Sequence, residues 1–353
     1  MRQSALVAVL DWGLGHATRC VSIIRELQKQ NVKVVVGASG LSLELLKEEF
    51  PHLQYYELPS YRITYPKRAL LFSMLLQLPQ ILRAIGREHS MTEKIIHQEK
   101  IDFIISDNRY GCYSKKIISV FVCHQLNLQL PKGFAFLSSM TNSIHRNWIK
   151  QFNQVWVPDE EIGFRFSGWL SQSNNRKVKR VGILSRFSGK PLTSPDPVEI
   201  VAVVSGPEPQ RTIFENLLRD QLLRSNKKSL LVKGKPGHQG RIINNNLTEI
   251  EHLNSRELES VLSSADFVVT RSGYSSIMDL AVLGKKVLLV PTPSQTEQEY
   301  LADYLTSNNL AMTQKQEEFN LVSALNQIQN IKPFPRTTPN RDLPQAITEL
   351  ICG

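Results

Sequence analysis

Short apolar runs alternate along the chain with longer segments that mix apolar and polar residues. Glycine, proline or small polar residues bound each run, a pattern typical of buried parallel strands separated by helices. The runs predicted to be strands are Ala5–Leu10, Val32–Val36, Ile101–Ser106, Val120–Cys123, Val155–Val157, Glu199–Val204, Leu230–Lys233, Phe267–Thr270 and Lys286–Val290. This alternation predicts an α/β protein built from two doubly wound domains.

The length of the chain agrees with two domains, since 353 residues exceed the usual size of one and 41% of them are apolar. We predict an N-terminal domain over residues 1–165, a linker over 166–195, a second domain over 196–335 and a C-terminal segment over 336–353. Val155–Val157 is expected to be the last strand of the first domain. The linker prediction depends on Ser171–Lys190, which contains six lysines or arginines and no acid.

Composition excludes several classes of protein. The four cysteines lack the spacing of a metal site, which suits the reducing cytoplasm. The first apolar run has six residues, so no signal peptide is predicted, and no stretch approaches the ~20 apolar residues of a membrane helix. The net charge of +10 favours an anionic partner. No nucleic-acid partner is expected, because basic and aromatic residues are not interleaved in a known motif.

A glycine-rich turn, Asp11–His16, follows the first predicted strand and precedes a predicted helix. Gly13 and Gly15 would let backbone N–H groups approach a ligand at the helix start. The third glycine of a dinucleotide-binding fingerprint is missing, and the next strand ends in Gly37 instead of an acid. The turn therefore predicts an anion site but not an NAD enzyme.

A second predicted ligand site lies within Val268–Ala302, where a strand, a turn, a helix and another strand follow one another. The helix is expected to start at Ser275 or Ser276 and to end at Gly284, a residue suited to a left-handed cap. A further helix begins near Gln295. Polar residues follow both strands, at the edge where parallel sheets bind their ligands.

Two interpretations of Ser276 and Asp279 stay open from spacing alone. Serines at a helix start would bind a phosphate, and Asp279, one turn further on, would reach a pair of sugar hydroxyls. The same Ser-x-x-Asp spacing is also that of a capping box, in which the acid only caps its own helix.

The second site resembles the C-terminal donor motif of glycosyltransferase family 28, the group that includes the UDP-GlcNAc transferase of peptidoglycan synthesis. The matching residues are Ser272, Gly273, Ser275 or Ser276, Asp279, Gln298, Tyr300 and Ala302. The resemblance implies that Asp279 holds the ribose hydroxyls of UDP and that Gln298 holds the sugar or the diphosphate. Asp279 departs from the pattern, because many relatives carry glutamate there.

This resemblance implies a GT-B fold, in which two doubly wound, Rossmann-like domains face a central cleft and the C-terminal segment packs back on the first domain. The turn Ser205–Arg211 repeats the layout of the first glycine turn, although Pro207 and Pro209 are also compatible with a plain rigid turn. The predicted donor-binding residues are Gly13, Gly15, Ser205, Gly206, Arg211, Arg271, Ser272, Gly273, Ser275, Ser276, Asp279, Gln295 and Gln298.

His16 is the candidate catalytic base. Its loop resembles the N-terminal loop of family 28 and, over Gly15–Cys20, that of the UDP-sugar hydrolase of pseudaminic acid synthesis, which uses the loop histidine to activate water. His16 could instead orient the loop or contact a phosphate. Asp107 and His124 follow strands at the same sheet edge, so they either act on the acceptor or hydrogen-bond loops together.

The predicted reaction is transfer of a sugar, of the N-acetylhexosamine type, from a UDP-sugar to an acceptor hydroxyl. The resemblance implies inversion at the anomeric carbon. No Asp-x-Asp pair occurs in the chain, so no metal held by such a pair and no cofactor is expected. The alternatives are a UDP-sugar hydrolase, a sugar-nucleotide epimerase of the same fold, and a non-catalytic nucleotide-sugar or membrane-binding protein.

Residues Tyr61–Ser90 are both basic and apolar, with Lys67 and Arg68 before an apolar run and Pro79 inside it. They are compatible with an amphipathic anchor at an anionic membrane or with an ordinary core helix. Pro79 is expected to interrupt or to start a helix. The predicted acceptor is accordingly a lipid-linked or glycan molecule, and the predicted location is the cytoplasm or the inner face of the cell membrane.

Overall fold

The computed structural model describes residues 2–61, 70–190, 192 and 196–352. Within these residues, the N-terminal half contains a seven-stranded parallel sheet with the order β3-β2-β1-β4-β5-β6-β7. Its strands are β1 (Ser4–Val9), β2 (Lys33–Ala38), β3 (Gln54–Glu57), β4 (Phe103–Asp107), β5 (Ile118–Val122), β6 (Gln154–Val157) and β7 (Val178–Arg180). Its helices are α1 (Leu14–Lys29), α2 (Gly40–Glu49), α3 (Leu70–Glu99) and α4 (Ser138–Ile149).

The C-terminal half contains a second sheet, which has seven strands within the described residues, in the order β10-β11-β9-β8-β12-β13-β14. Only the pairing of β10 with β11 is antiparallel among them. The strands are β8 (Ile200–Val203), β9 (Ser229–Val232), β10 (Arg241–Asn244), β11 (Leu247–Ile250), β12 (Phe267–Thr270), β13 (Val287–Leu289) and β14 (Met312–Thr313). The helices are α5 (Gln210–Arg224), α6 (Ser255–Ser264), α7 (Tyr274–Leu283), α8 (Thr296–Ser307), α9 (Leu321–Gln327) and α10 (Leu343–Cys352).

The central strands of both sheets are buried almost completely, with side chains of β1 and β12 between 0 and 5% exposed. This explains why they appear in the sequence as unbroken apolar runs, since both faces of each sheet are covered by helices. The doubly wound α/β architecture predicted from those runs is confirmed.

Two predictions about individual elements are wrong. Val155–Val157 is not the last strand of the first sheet, because Val178–Arg180 pairs with it in parallel. Pro79 neither starts nor interrupts a helix but lies inside α3. Lys67 and Arg68, on which the membrane-anchor interpretation partly depended, lie outside the described residues.

The two halves are joined where the carboxyl ends of their parallel strands face each other. Ser275 Oγ, in the first turn of α7, donates to the backbone carbonyl of Gly15 at 2.7 Å. Helix α10 returns to the first half, where Gln30 Nε2 donates to Pro344 O at 2.9 Å. None of the helices in the described ranges has the length and apolar character needed to cross a membrane.

Candidate functional site

Helices α1 and α7 begin side by side at the junction of the two halves. The residue before each helix is a glycine, Gly13 and Gly273, so neither N-cap position provides a side chain that accepts from the first N–H groups of its helix. A side chain at Gly15 would place its Cβ only 3.0 Å from Ser275 Oγ, so Ser275 would have to shift for any residue other than glycine. Two helix starts with free N–H groups and aligned dipoles form an environment that favours an anion.

His16, in the first turn of α1, pairs with Asp107 at the end of β4, and Nδ1 lies 2.5 Å from Oδ1. Burial alone would raise the pKa of Asp107, but the charge of Arg19 and hydrogen bonds from Arg19 and His16 lower it well below its usual range. The carboxylate is therefore ionised and accepts the proton on His16 Nδ1. This leaves the lone pair on Nε2.

Burial, followed by the positive charge of Arg19, lowers the pKa of His16 below its ordinary value, against the opposing effect of Asp107. The imidazole is thus neutral near pH 7. Within the described residues, Nε2 has no hydrogen-bond partner. A neutral histidine held by a carboxylate through Nδ1, with Nε2 free, is the arrangement of a general base.

His124, after β5, bridges the two halves of the molecule. Its Nε2 donates to Glu297 Oε1 of α8 at 2.7 Å, and its ring stacks on Tyr274 with a centroid distance of 4.2 Å. Its Nδ1 faces Arg19 Nη1 at 3.3 Å. Because both ring nitrogens are engaged, His124 holds the interface in place and is not a free base in this state.

A polar network follows β13 on the other side of the junction. Gln298 Oε1 accepts from the backbone N–H of Thr292 at 2.9 Å, and its Nε2 donates to Gln295 Oε1 at 2.6 Å. Ser272 Oγ donates to the carbonyl of Gln298 at 2.7 Å, which fixes the first turn of α8. The buried hydroxyl of Thr292 has no partner within the described residues, and it lies 3.7 Å from where a Cβ on Gly206 would be.

Other residues predicted to bind the donor are placed differently. Ser205 and Ser276 are half-buried beside the junction. Arg211 is held by two neighbouring acids, with Nε 2.7 Å from Glu208 Oε1 and Nη1 2.9 Å from Glu215 Oε2.

Arg271 is fully buried, and its position does not favour a donor contact. Its guanidinium donates to the carbonyls of Val290 and Gln210 and to Gln316 Oε1, and lies 3.9 Å above the ring of Phe214. Burial lowers the pKa of Arg271 to about 9. The buried side chain therefore stabilises the carboxyl ends of β12 and β13 through these hydrogen bonds.

Asp279 does not form the capping box that its spacing allowed. Helix α7 begins at Tyr274 without a side-chain cap, and the Asp279 carboxylate instead accepts from Ser185 Oγ at 2.5 Å. Arg186 Nε lies 3.5 Å from its other oxygen. Asp279 therefore ties α7 to the segment that joins the two sheets.

Arg19 and Glu297 occupy central positions in the site, although the sequence analysis did not select them. The three-residue spacing from His16 to Arg19 puts both on one face of α1, and this was the available signal. The partner of Glu297, His124, lies 173 positions away in the chain, so no local pattern could have revealed that pair. Among the described residues, no group of three or more His, Cys, Asp or Glu side chains is placed to hold a metal ion.

The sequence of the C-terminal half matches a known family. Residues 216–347 match the model of the glycosyltransferase family 28 C-terminal domain. A UDP-N-acetylglucosamine–N-acetylmuramyl-(pentapeptide) pyrophosphoryl-undecaprenol N-acetylglucosamine transferase from Sulfurihydrogenibium sp. is 30% identical over 290 residues, covering 79% of this chain and 75% of the relative. An uncharacterized glycosyltransferase from Methanosarcina mazei is 21% identical over 83% of this chain and 81% of the relative.

Solved structures show the same architecture over the whole chain. MurG from Acinetobacter baumannii superposes with a TM-score of 0.60 at 15% identity, covering 99% of each chain. The glycotransferase of kitacinnamycin gives 0.66 at 13% identity, again with 99% of each chain covered. These structures establish the GT-B fold, and together with the sequence relatives they show that this chain is a glycosyltransferase that belongs to family 28.

Proposed function

We propose that the enzyme transfers an N-acetylhexosamine-type sugar from a UDP-sugar to an acceptor hydroxyl, with His16 as the base and with inversion. One observation carries this proposal: the His16–Asp107 pair lies at the junction where α1 and α7 start without capping side chains. A base and an anion-binding environment are thus side by side, as transfer from a nucleotide diphosphate requires.

The donor diphosphate would be bound by the N–H groups at the starts of α1 and α7, with Gly13, Gly15, Ser275 and Ser276 nearest to it. This is supported by the uncapped state of both helices and by the net charge of +10. UDP is proposed over other nucleotides because the relative that shows the family is named as a UDP-N-acetylglucosamine transferase.

The rest of the donor would lie along the carboxyl edge of the second sheet. We assign the sugar or diphosphate to Gln295 and Gln298, whose side chains form one network with the N–H of Thr292. Gly206, which follows Ser205, borders the hydroxyl of Thr292, for which the described part of the chain provides no hydrogen-bond partner. Asp279 is proposed to bind the ribose, for which its present contacts with Ser185 and Arg186 would have to rearrange.

In the proposed step, the acceptor oxygen forms a bond to the anomeric carbon on the face opposite the diphosphate. The bond from that carbon to the diphosphate oxygen breaks, and its electron pair leaves with UDP. The hydroxyl proton passes to Nε2 of His16, while the ionised Asp107 stabilises the imidazolium through Nδ1. The helix starts stabilise the charge that develops on the leaving oxygen, without a metal held by the protein.

A lipid-linked acceptor is proposed on the basis of an exposed apolar surface on α4 and the turn before it. The exposed residues of this α4 surface are Phe134, Phe136, Met140 and Ile144. Met140 and Ile144 are four residues apart and lie on one face of α4, and Phe136 lies four residues before Met140 in the turn that precedes the helix. The exposed Arg146 and Lys150 lie nearby in the chain, so the surface combines apolar and cationic groups, as contact with an anionic bilayer requires.

The experiment that tests the proposed function measures UDP release from a panel of UDP-sugars, with and without a bacterial lipid extract or a set of glycans as acceptor. We expect release from one UDP-N-acetylhexosamine only when an acceptor is present. Equal release without any acceptor would identify a hydrolase and overturn the transfer proposal.

A further inference from the structure

Arg19 lies at the centre of the site but does not reach its open side. Its side chain is only 2% exposed. It donates to both oxygens of Asp107, with Nε directed to Oδ2 and Nη2 lying 2.6 Å from Oδ1. Its remaining terminal nitrogen, Nη1, lies 3.3 Å from Nδ1 of His124. One guanidinium therefore contacts the carboxylate that orients His16 and the histidine that holds the interface.

This two-point contact fixes the Asp107 carboxylate in one plane. A planar guanidinium that donates twice leaves a carboxylate little rotational freedom. Oδ1 is then shared between Arg19 Nη2 and His16 Nδ1, which lie 2.8 Å from each other. Since both nitrogens donate to the same oxygen, the direction of the imidazole depends on the position of the guanidinium.

We propose that Arg19 is a positioning residue for the transfer reaction, which holds the Asp107 carboxylate in place and thereby directs the imidazole of His16 toward the acceptor. The proposal rests on the assignment of His16 as the base. Arg19 does not touch substrate in it, and its effect reaches the reacting atoms only through His16.

The charges around His16 determine whether its pKa rises or falls when Arg19 is replaced. The groups that face it are Arg19 from its own helix, Asp107 from β4, His124 from β5 and, beyond His124, Glu297 from α8. Arg19 lowers the pKa of His16, and Asp107 raises it. Removing the positive charge of Arg19 leaves Asp107 acting on the imidazole, so the pKa of His16 should rise and the base should become protonated near neutral pH.

The first test replaces Arg19 with methionine, which keeps the length of the side chain and removes its charge. A neighbouring charge within ~4–6 Å shifts a pKa by about 1–3 units, so the acidic limb of the kcat/KM profile should move up by about one unit or more. The same shift should appear in the NMR titration of the His16 ring proton. The control Arg25→Met removes an arginine two turns along α1 that pairs with Glu49 at the surface, and it should leave both titrations unchanged.

The second test is Arg19→Lys, which keeps the charge but cannot donate to both carboxylate oxygens in the same geometry. We expect the acidic limb of the kcat/KM profile to stay at its wild-type position. We expect kcat to fall by about tenfold and KM to stay unchanged. This variant also decides the matter if Arg19→Met does not fold, because a lysine variant with wild-type kcat would show that the forked contact is not needed.

Failure of this proposal can be told apart from failure of the proposed function. An Arg19→Met protein whose His16 titrates as in the wild type overturns the positioning role, whatever the reaction is. If the titration of His16 shifts in Arg19→Met but His16→Gln turns over normally, then Arg19 does act on His16, and His16 is not the base of the reaction.

Discussion

Asp279 is a single buried carboxylate that makes the stability of the folded chain depend on pH. Burial, opposed by the charge of Arg186 and the hydrogen bond from Ser185, raises the pKa of Asp279 to about 6, whereas an aspartate in an unfolded chain titrates near ~3.9. Between about pH 4 and 6, the folded state thus keeps a proton that the unfolded state has released. The contribution of Asp279 to stability therefore falls as the pH rises through this window, by about 3 kcal/mol at most.

Asp279→Asn tests this directly, because the amide has nearly the same shape and does not titrate. The free energy of unfolding of the variant, relative to the wild type, should rise between pH 4 and 6.5 and then level off. Urea unfolding at a series of pH values measures it. The control Asp196→Asn should show little change over this range, because Lys228 lowers the pKa of that exposed carboxyl and its titration therefore lies below about pH 4. Parallel curves for Asp279→Asn and the wild type would show that this carboxyl is already ionised at pH 4.

At the scale of elements, the sequence predicted the strands and those helix ends that depend on residues close by in the chain. Gly284 ends α7 in the left-handed conformation, with φ 64° and ψ 46°, as its position after an apolar stretch predicted. The pattern at Ser276 and Asp279 could not be resolved, because the partners of Asp279 lie in another segment of the chain. Pro79 lies inside the 30-residue helix α3, so the presence of a proline did not by itself predict where the helix begins or ends.

The proposed role of the exposed α4 surface in membrane binding can be tested by mutation. Phe136→Asp combined with Met140→Asp should weaken binding to vesicles that contain anionic phospholipid, because two apolar contacts are replaced by charges that such a bilayer repels. Co-sedimentation with the vesicles measures the bound fraction. The control is Ile243→Asp, an apolar residue 68% exposed on β10 in the other half of the molecule. Equal binding of the double variant and the wild type would remove α4 from the membrane proposal.

At the scale of the whole molecule, the site is made by topology. Asp107 is the last residue of β4, and His16 and His124 follow β1 and β5 of the same parallel sheet. Parallel strands place their carboxyl ends at one edge, so the sequence was sufficient to predict that the three residues are neighbours. It was not sufficient to predict which atoms pair. The contact of Arg19 with Asp107 depends on how α1 packs on the first sheet, and that of His124 with Glu297 depends on how the two halves close on each other. No local spacing in the sequence encodes either contact. For the same reason the buried position of Arg271 could not be read from its place after β12.

The central claim is that His16 takes the acceptor proton at the junction of the two halves, and His16→Gln tests it most directly. Glutamine keeps a donor for Asp107 but cannot accept a proton at neutral pH. With the donor and acceptor identified, we expect kcat to fall by about 10²- to 10⁴-fold, while the calorimetric affinity for UDP changes little, because deprotonation matters chiefly in the transition state. The control His97→Gln, at an exposed position on α3, should keep full turnover. A His16→Gln protein that turns over normally would contradict the account, and one that loses UDP affinity together with turnover would make His16 a phosphate ligand instead.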